Sequence, residues 1–145
     1  MRGAVTPPTI SRRTQDSGTM SSIVKSKDAP EPIGPYSQAV ISDQLVFCSG
    51  QLGIDPRTGK MVDGGTAAEA RRCLENLRAI LEEAGTDLTK VLRCTIFMTD
   101  LMDFPAVNSV YAEFFSALPP ARTSIQVAAL PRGAKVEIDA IASLS

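Results

Sequence analysis

The order of apolar patterns along this chain predicts an α+β fold, a β-sheet with two helices packed on one of its faces. Three observations carry that prediction. Two segments repeat apolar residues at the three-and-four spacing of an amphipathic helix, and the remaining apolar runs are short and β-patterned. The elements also follow one another as strands, helix, strand, helix, strand, strand.

The chain divides at about residue 20. Residues 1–20 carry Arg2, Arg12 and Arg13 against one acid, Asp16, among many Thr, Ser and Pro. This reads as a leader or N-terminal extension of unassigned role. A transit peptide fits its composition, whereas Pro7, Pro8 and the lack of an apolar helical face argue against one. Residues 21–145 form one domain, since a chain of 145 residues buries roughly 68–70% of its unfolded surface.

Within the domain, the breaker-rich stretch 29–35 leads into an apolar run at 36–41. The run Leu45-Val-Phe-Cys-Ser-Gly50 is almost wholly apolar and fits a buried strand, and Asp55-Pro-Arg-Thr-Gly59 fits a turn. Thr66 and Glu69 have the spacing of a capping box at a helix start. Ala70, Cys73, Leu74, Leu77, Ile80, Leu81 and Ala84 then line one helical face up to a stop at Gly85.

Residues 91–98 predict a strand with Leu92, Cys94, Ile96 and Met98 on one side. Asp103 is placed to cap a second helix with Pro105 in its first turn, and the buried stripe is Phe104, Val107, Tyr111, Phe114, Phe115 and Leu118. Pro119 and Pro120 end that helix and launch the last two strands. In the final strand Val136, Ile138, Ala140 and Ala142 face one way, and Glu137 and Asp139 the other.

Composition narrows the function. The chain is 43% hydrophobic with a net charge of −1, which offers no general attraction for nucleic acid or an anionic membrane. No apolar run approaches the length of a membrane span. The absence of histidine excludes Ser-His-Asp and Cys-His catalysis and most transition-metal chemistry. Cys48, Cys73 and Cys94 are widely spaced in apolar patterns and read as free, buried thiols rather than metal ligands or disulfides.

Two charges in the last β-patterned runs stand out. Arg122 can grip a small carboxylate through a planar two-pronged hydrogen bond, or form a structural ion pair. Glu137 can hold and deprotonate a water, or serve an interface ion pair. A tight hairpin around 130–134 would set them roughly 17 Å apart along the strands, too far to share one small ligand within a chain. Glu137 and Asp139 alternate with Ile141 on the face left bare by the helices, a mixed pattern that fits a subunit interface containing a wet cleft. The expectation is a cyclic oligomer with pockets between chains.

From residue 23 to the C-terminus the chain resembles the RidA (YjgF) family of reactive intermediate deaminases. The matching pieces are Ala29-Pro30, Ile33-Gly-Pro-Tyr-Ser-Gln38, Ser49-Gly-Gln51, Ile54-Asp-Pro56, Asp103-Phe104, Val107-Asn108, Tyr111, Phe114-Phe115, Pro120-Ala-Arg122, Val127-Ala-Ala-Leu-Pro131 and Val136-Glu-Ile138. The resemblance implies a chorismate-mutase-like fold and a homotrimer with inter-subunit clefts. It also implies hydrolysis of 2-imino or enamino acids released by pyridoxal-phosphate-dependent dehydratases, without cofactor or metal, in the cytoplasm, or in mitochondria if residues 1–20 are a transit peptide.

By the same resemblance Arg122 binds the substrate carboxylate and Glu137 activates water. Tyr36 walls the pocket, Ser49 and Gly50 approach the ligand, and Asn108 lies near the cleft. Tyr36 also fits packing, Ser49 a backbone hydrogen bond, and Asn108 the first turn of its helix. Many bacterial members carry a cysteine two residues after the arginine; here that position is Ser124, whose amide or hydroxyl would have to act instead. RNA cleavage with translation inhibition, and a holdase-like or ligand-binding trimer with little turnover, are roles attached to relatives. The first lacks a basic stripe, an aromatic platform and a histidine base in this chain.

Overall fold

The computed structural model describes residues 9–14 and 20–145, with side chains from Ser21 onward. Its main sheet contains β1 (Thr9–Thr14), β2 (Met20–Lys25), β3 (Ala39–Ser42), β4 (Leu45–Leu52), β7 (Val91–Met98), β8 (Ala121–Gln126) and β9 (Val136–Ser143). A small hairpin of β5 (Ile54–Asp55) and β6 (Lys60–Met61) precedes helix α1 (Gly65–Ala84), and α2 (Phe104–Phe114) joins β7 to β8. The strand order is β1-β2-β3-β4-β9-β7-β8. Both helices pack on one face, as the apolar patterning predicts. The sequence assigned no element to residues 1–20, yet Thr9–Thr14 pairs antiparallel with β2. The leader or transit-peptide reading otherwise falls largely outside the described residues.

β9 is inserted between β4 and β7, antiparallel to both. This central position explains its strict alternation, with Val136, Ile138, Ala140 and Ala142 buried and the intervening residues half-buried. The crossover through α2 makes β8 parallel to β7, so β8 sits at the sheet edge and does not pair with β9. The expected hairpin of the last two strands is therefore corrected. A whole strand lies between them, because the short link at 127–135 carries the chain past β7 instead of turning back on itself.

Several local expectations are corrected too. The capping box is not formed: the residue before α1, Gly64, has φ 112°, and no side chain caps the helix. Thr66 instead donates to Asp103 Oδ2 at 2.8 Å, and Glu69 Oε1 accepts from the Lys135 amide at 2.9 Å. Tertiary partners have captured both side chains, and Asp103 with them, so it does not cap α2. Leu92 leaves the buried row because the pairing shifts by one residue between Val91 and Arg93, a bulge that turns it outward.

The second helix ends at Phe114 rather than at the prolines, leaving Leu118 91% exposed. Val110, absent from the expected stripe, is buried. In β4 only alternate residues of the apolar run reach the core: Val46 and Cys48 are buried, whereas Leu45 and Phe47 lie on the bare face. The expected row of α1 is buried throughout. Gly85 closes the helix at φ 93°, its amide donating to Glu82 and Leu81 carbonyls.

Candidate functional site

The sheet register separates Arg122 from Glu137. Arg122 lies opposite Cys94 of β7 and Glu137 opposite Phe97, three residues further along. Cys94 points into the helix-covered core and is fully buried, so Arg122 shares the helix side of the sheet. An odd offset reverses the face, which puts Glu137 on the bare side. Within one chain the two residues thus belong to different surfaces, with two strand spacings between them. The structure forms two clusters.

The first surrounds Glu137. Ile33, Tyr36, Ser49, Gly50, Leu52, Pro131 and Glu137 line a cavity of about 260 Å³. It adjoins a second of about 230 Å³, which shares Ile33, Tyr36, Gly50 and Leu52 with it and is lined further by Pro30, Gln51, Ile54, Pro56 and Arg132. Gly50 permits a close approach: a Cβ there would lie 2.6 Å from Glu137 Oε1, so any other residue must push that side chain aside. The carboxylate therefore rests against the backbone of residue 50. Burial, and then the neighbouring Asp139 charge, raise the Glu137 carboxyl above its ordinary range. Asp139 is held in place by the Thr95 amide, which donates to its Oδ1 at 2.8 Å.

Two further groups shape this cluster. The Ser49 hydroxyl donates to the Ser37 carbonyl, and the Ser49 amide donates to the Gln38 carbonyl at 2.9 Å. That is the backbone-bonding alternative for Ser49, with its oxygen lone pairs still able to accept. Tyr36 is half-exposed, and its hydroxyl accepts from the Ile33 amide at 3.4 Å. The loop that carries Tyr36 is anchored by buried Gln38, whose amide accepts from Ser26 N and donates to the Ser26 and Pro30 carbonyls. Gln38 belongs to the Ile33–Gln38 motif, but a glutamine between turn and strand carries no sequence pattern that marks it as a staple.

The second cluster surrounds Arg122. Asn108, Tyr111, Ala112, Phe115, Pro119, Pro120 and Arg122 line an open depression between α2 and the edge strand. The Arg122 guanidinium carbon lies 4.9 Å from the Tyr111 ring centre and 5.4 Å from that of Phe104. No ion pair or hydrogen bond engages the Arg122 side chain among the described residues. Ser124, two residues on and opposite Ile96, shares the helix side, and its buried hydroxyl has no hydrogen-bond partner among the described residues. The Tyr111 hydroxyl is buried too, with the Cys94 thiol beside it.

Of the thiols, Cys94 lies beside the second cluster, next to the Tyr111 hydroxyl and across from Arg122. All three are free and buried, and burial pushes Cys48 up to about 12 and Cys94 up to about 11, so they stay protonated. Among the described residues no group of three His, Cys, Asp or Glu is placed to hold a metal. None of the helices described is long and apolar enough to cross a membrane.

The chain is thus a mixed sheet with both helices on one face, the Arg122 cluster at its edge and the Glu137 cleft on its bare face. The family described as Endoribonuclease L-PSP matches residues 26–144, and the chain belongs to it, within the RidA (YjgF) group its motifs resemble. It is 55% identical to Protein DfrA of Myxococcus xanthus over 121 residues, 82% of this chain and 92% of that protein. It is 48% identical to the 2-iminobutanoate/2-iminopropanoate deaminase of Bos taurus over 126 residues, 87% of this chain and 92% of that one. Among solved structures, E. coli TdcF with bound serine superposes with a TM-score of 0.81 at 42% identity, covering 85% of this chain and 98% of TdcF.

Proposed function

We propose that this protein hydrolyses reactive 2-imino and enamino acids, 2-iminobutanoate and 2-iminopropanoate foremost, to 2-oxo acids and ammonia. The observation that carries this reading is the pair of incomplete clusters. One offers a carboxylate-binding arginine with no counter-ion among the described residues, the other a glutamate whose pKa is raised toward that of a useful base. The deaminases among the relatives support the same class of substrate.

In this reading Arg122 holds the substrate carboxylate in a bidentate pair, with Asn108 and Ser124 beside it. Glu137 positions a water between Tyr36 and the Ser49-Gly50 backbone. The water oxygen adds to C2 of the protonated imine as Glu137 takes one water proton, giving a neutral tetrahedral carbinolamine. Glu137 returns that proton to nitrogen, and the C2–N bond breaks to release ammonia as the carbinolamine hydroxyl passes its proton to Glu137, leaving the 2-oxo acid. An imine carbon is already electrophilic, so positioning and proton transfer suffice without a cofactor.

Because the two clusters lie on different surfaces of one chain, the complete site needs a second copy. We place it in the clefts of a homotrimer in which one protomer supplies Arg122 and its partner Glu137. The bare face supports this arrangement, with Phe47 and Ile141 cross-strand neighbours beside the carboxylates. The assay is 2-oxobutanoate formation from threonine in the presence of a threonine dehydratase, the source of the imine. Wild-type protein accelerates it and Arg122→Ala does not; equal acceleration by both rejects the mechanism. RNA cleavage that survives repurification and disappears in Arg122→Ala would replace this reading.

A further inference from the structure

Arginines in this chain are generally held through their own donors. Arg57 pairs with Asp55, Arg71 with Glu113 and Arg72 with Glu75, while Arg93 and Arg132 donate to Thr123 and the Gly59 carbonyl. Two are held against aromatic rings instead: Arg78, 4.9 Å from the Phe114 ring centre, and Arg122, which has two such rings. The Arg122 guanidinium lies against both, and its N–H groups engage nothing among the described residues. Phe104 and Tyr111 are seven residues apart on α2, two helical turns, so both rings project from one helical face. Asn108 falls between them on that face.

Ring faces attract a cation electrostatically without accepting a directed hydrogen bond at each N–H. An ion pair in the same place would fix the guanidinium but occupy the fork that a carboxylate needs. We propose that Phe104 and Tyr111 are positioning residues: their rings orient the Arg122 guanidinium and leave its donors free for the substrate carboxylate. The proposal rests on the reading of Arg122 as the carboxylate binder. The proposal needs only the Tyr111 ring, not its hydroxyl, which lies beside the Cys94 thiol.

The test uses the full chain with 2-oxobutanoate, the product acid, as the probe in calorimetric titrations. Phe104→Leu weakens binding about two- to fivefold, the loss of one cation–π contact. Phe104→Tyr and Tyr111→Phe, which keep the rings, bind within about twofold of wild type. The matching kinetic signature is a raised KM with kcat preserved. In unliganded wild-type protein the Arg122 Nε–H has an NMR order parameter above about 0.6, a readout that needs no variant to fold.

Unchanged affinity in Phe104→Leu, equal weakening in Phe104→Tyr, or a freely mobile Nε–H would each overturn the clamp, as would 2-oxobutanoate binding that does not depend on Arg122. Ring-dependent binding without imine hydrolysis would support the clamp and reject the deaminase reading.

Discussion

Glu137 shows how one side chain's surroundings set its chemistry. Burial first and the Asp139 charge second disfavour its ionised form, so the folded protein binds its proton more tightly than the unfolded chain does. The linkage follows in sign. Below the ordinary carboxylate pKa the group is neutral in both states and costs nothing; as pH rises through the raised folded value, stability is lost. Glu137→Gln should therefore match wild type in urea denaturation near pH 3.5 and exceed it at pH 7, while losing activity. Equal differences at both pH values would show that the carboxylate is not strained by its site. Gly50 makes a related prediction. A methyl group at residue 50 would meet the carboxylate oxygen, the mobile end of a side chain, so Gly50→Ala folds but displaces Glu137. A rate loss of about 10- to 100-fold with a small change in Tm is expected.

The helices act as supports for the site-bearing strands and loops. Asn76 of α1 is fully buried and donates to the Leu52 and Ile54 carbonyls at 3.2 and 3.0 Å, while accepting from Arg72 Nε at 2.9 Å. This side chain ties α1 to the end of β4, just after Ser49 and Gly50. Replacing it with Ala strands two buried carbonyls, a cost of about 2–3 kcal/mol in chemical denaturation. Asn76 sits three residues after Cys73 on the buried row, and a polar residue at a core spacing was the signal available in the sequence. α2 does the same for the other cluster, presenting Phe104, Asn108 and Tyr111 toward the edge strand. Phe104 and Tyr111 were legible as apolar stripe members; their contact with Arg122 was not, because it depends on which edge of the sheet the crossover reaches.

At the scale of the whole molecule, the proposed site is divided between protomers, and that division can be tested by mixing. Arg122→Ala and Glu137→Gln should each be inactive alone. Unfolded together in equal amounts and refolded, they should regain about a quarter of wild-type activity, because only interfaces joining an intact arginine to an intact glutamate are competent. Mixtures that stay inactive, or a fully active monomer by light scattering, would place the whole site within one chain. The adjoining cavity beside Tyr36 would then need another account.

Periodicity alone determined the α+β class, the buried row of α1, the alternation of the last strand and the stop at Gly85, since each depends only on neighbours a few residues away. The arginine and glutamate stood out as charges in the last β-patterned runs, and motif resemblance pointed to the family and to their roles. The sequence could not decide which strands pair, because a strand pattern records which face is buried and not who lies alongside. The expected hairpin failed for that reason: β7 occupies the place beside β8, and β9 lies on its other side. Tertiary structure alone decided that Thr66, Glu69 and Asp103 bond across the molecule instead of capping helices, and that Arg122 and Glu137 open onto different faces of one sheet. Long-range packing set those outcomes, by offering these side chains partners stronger than any in their own segments.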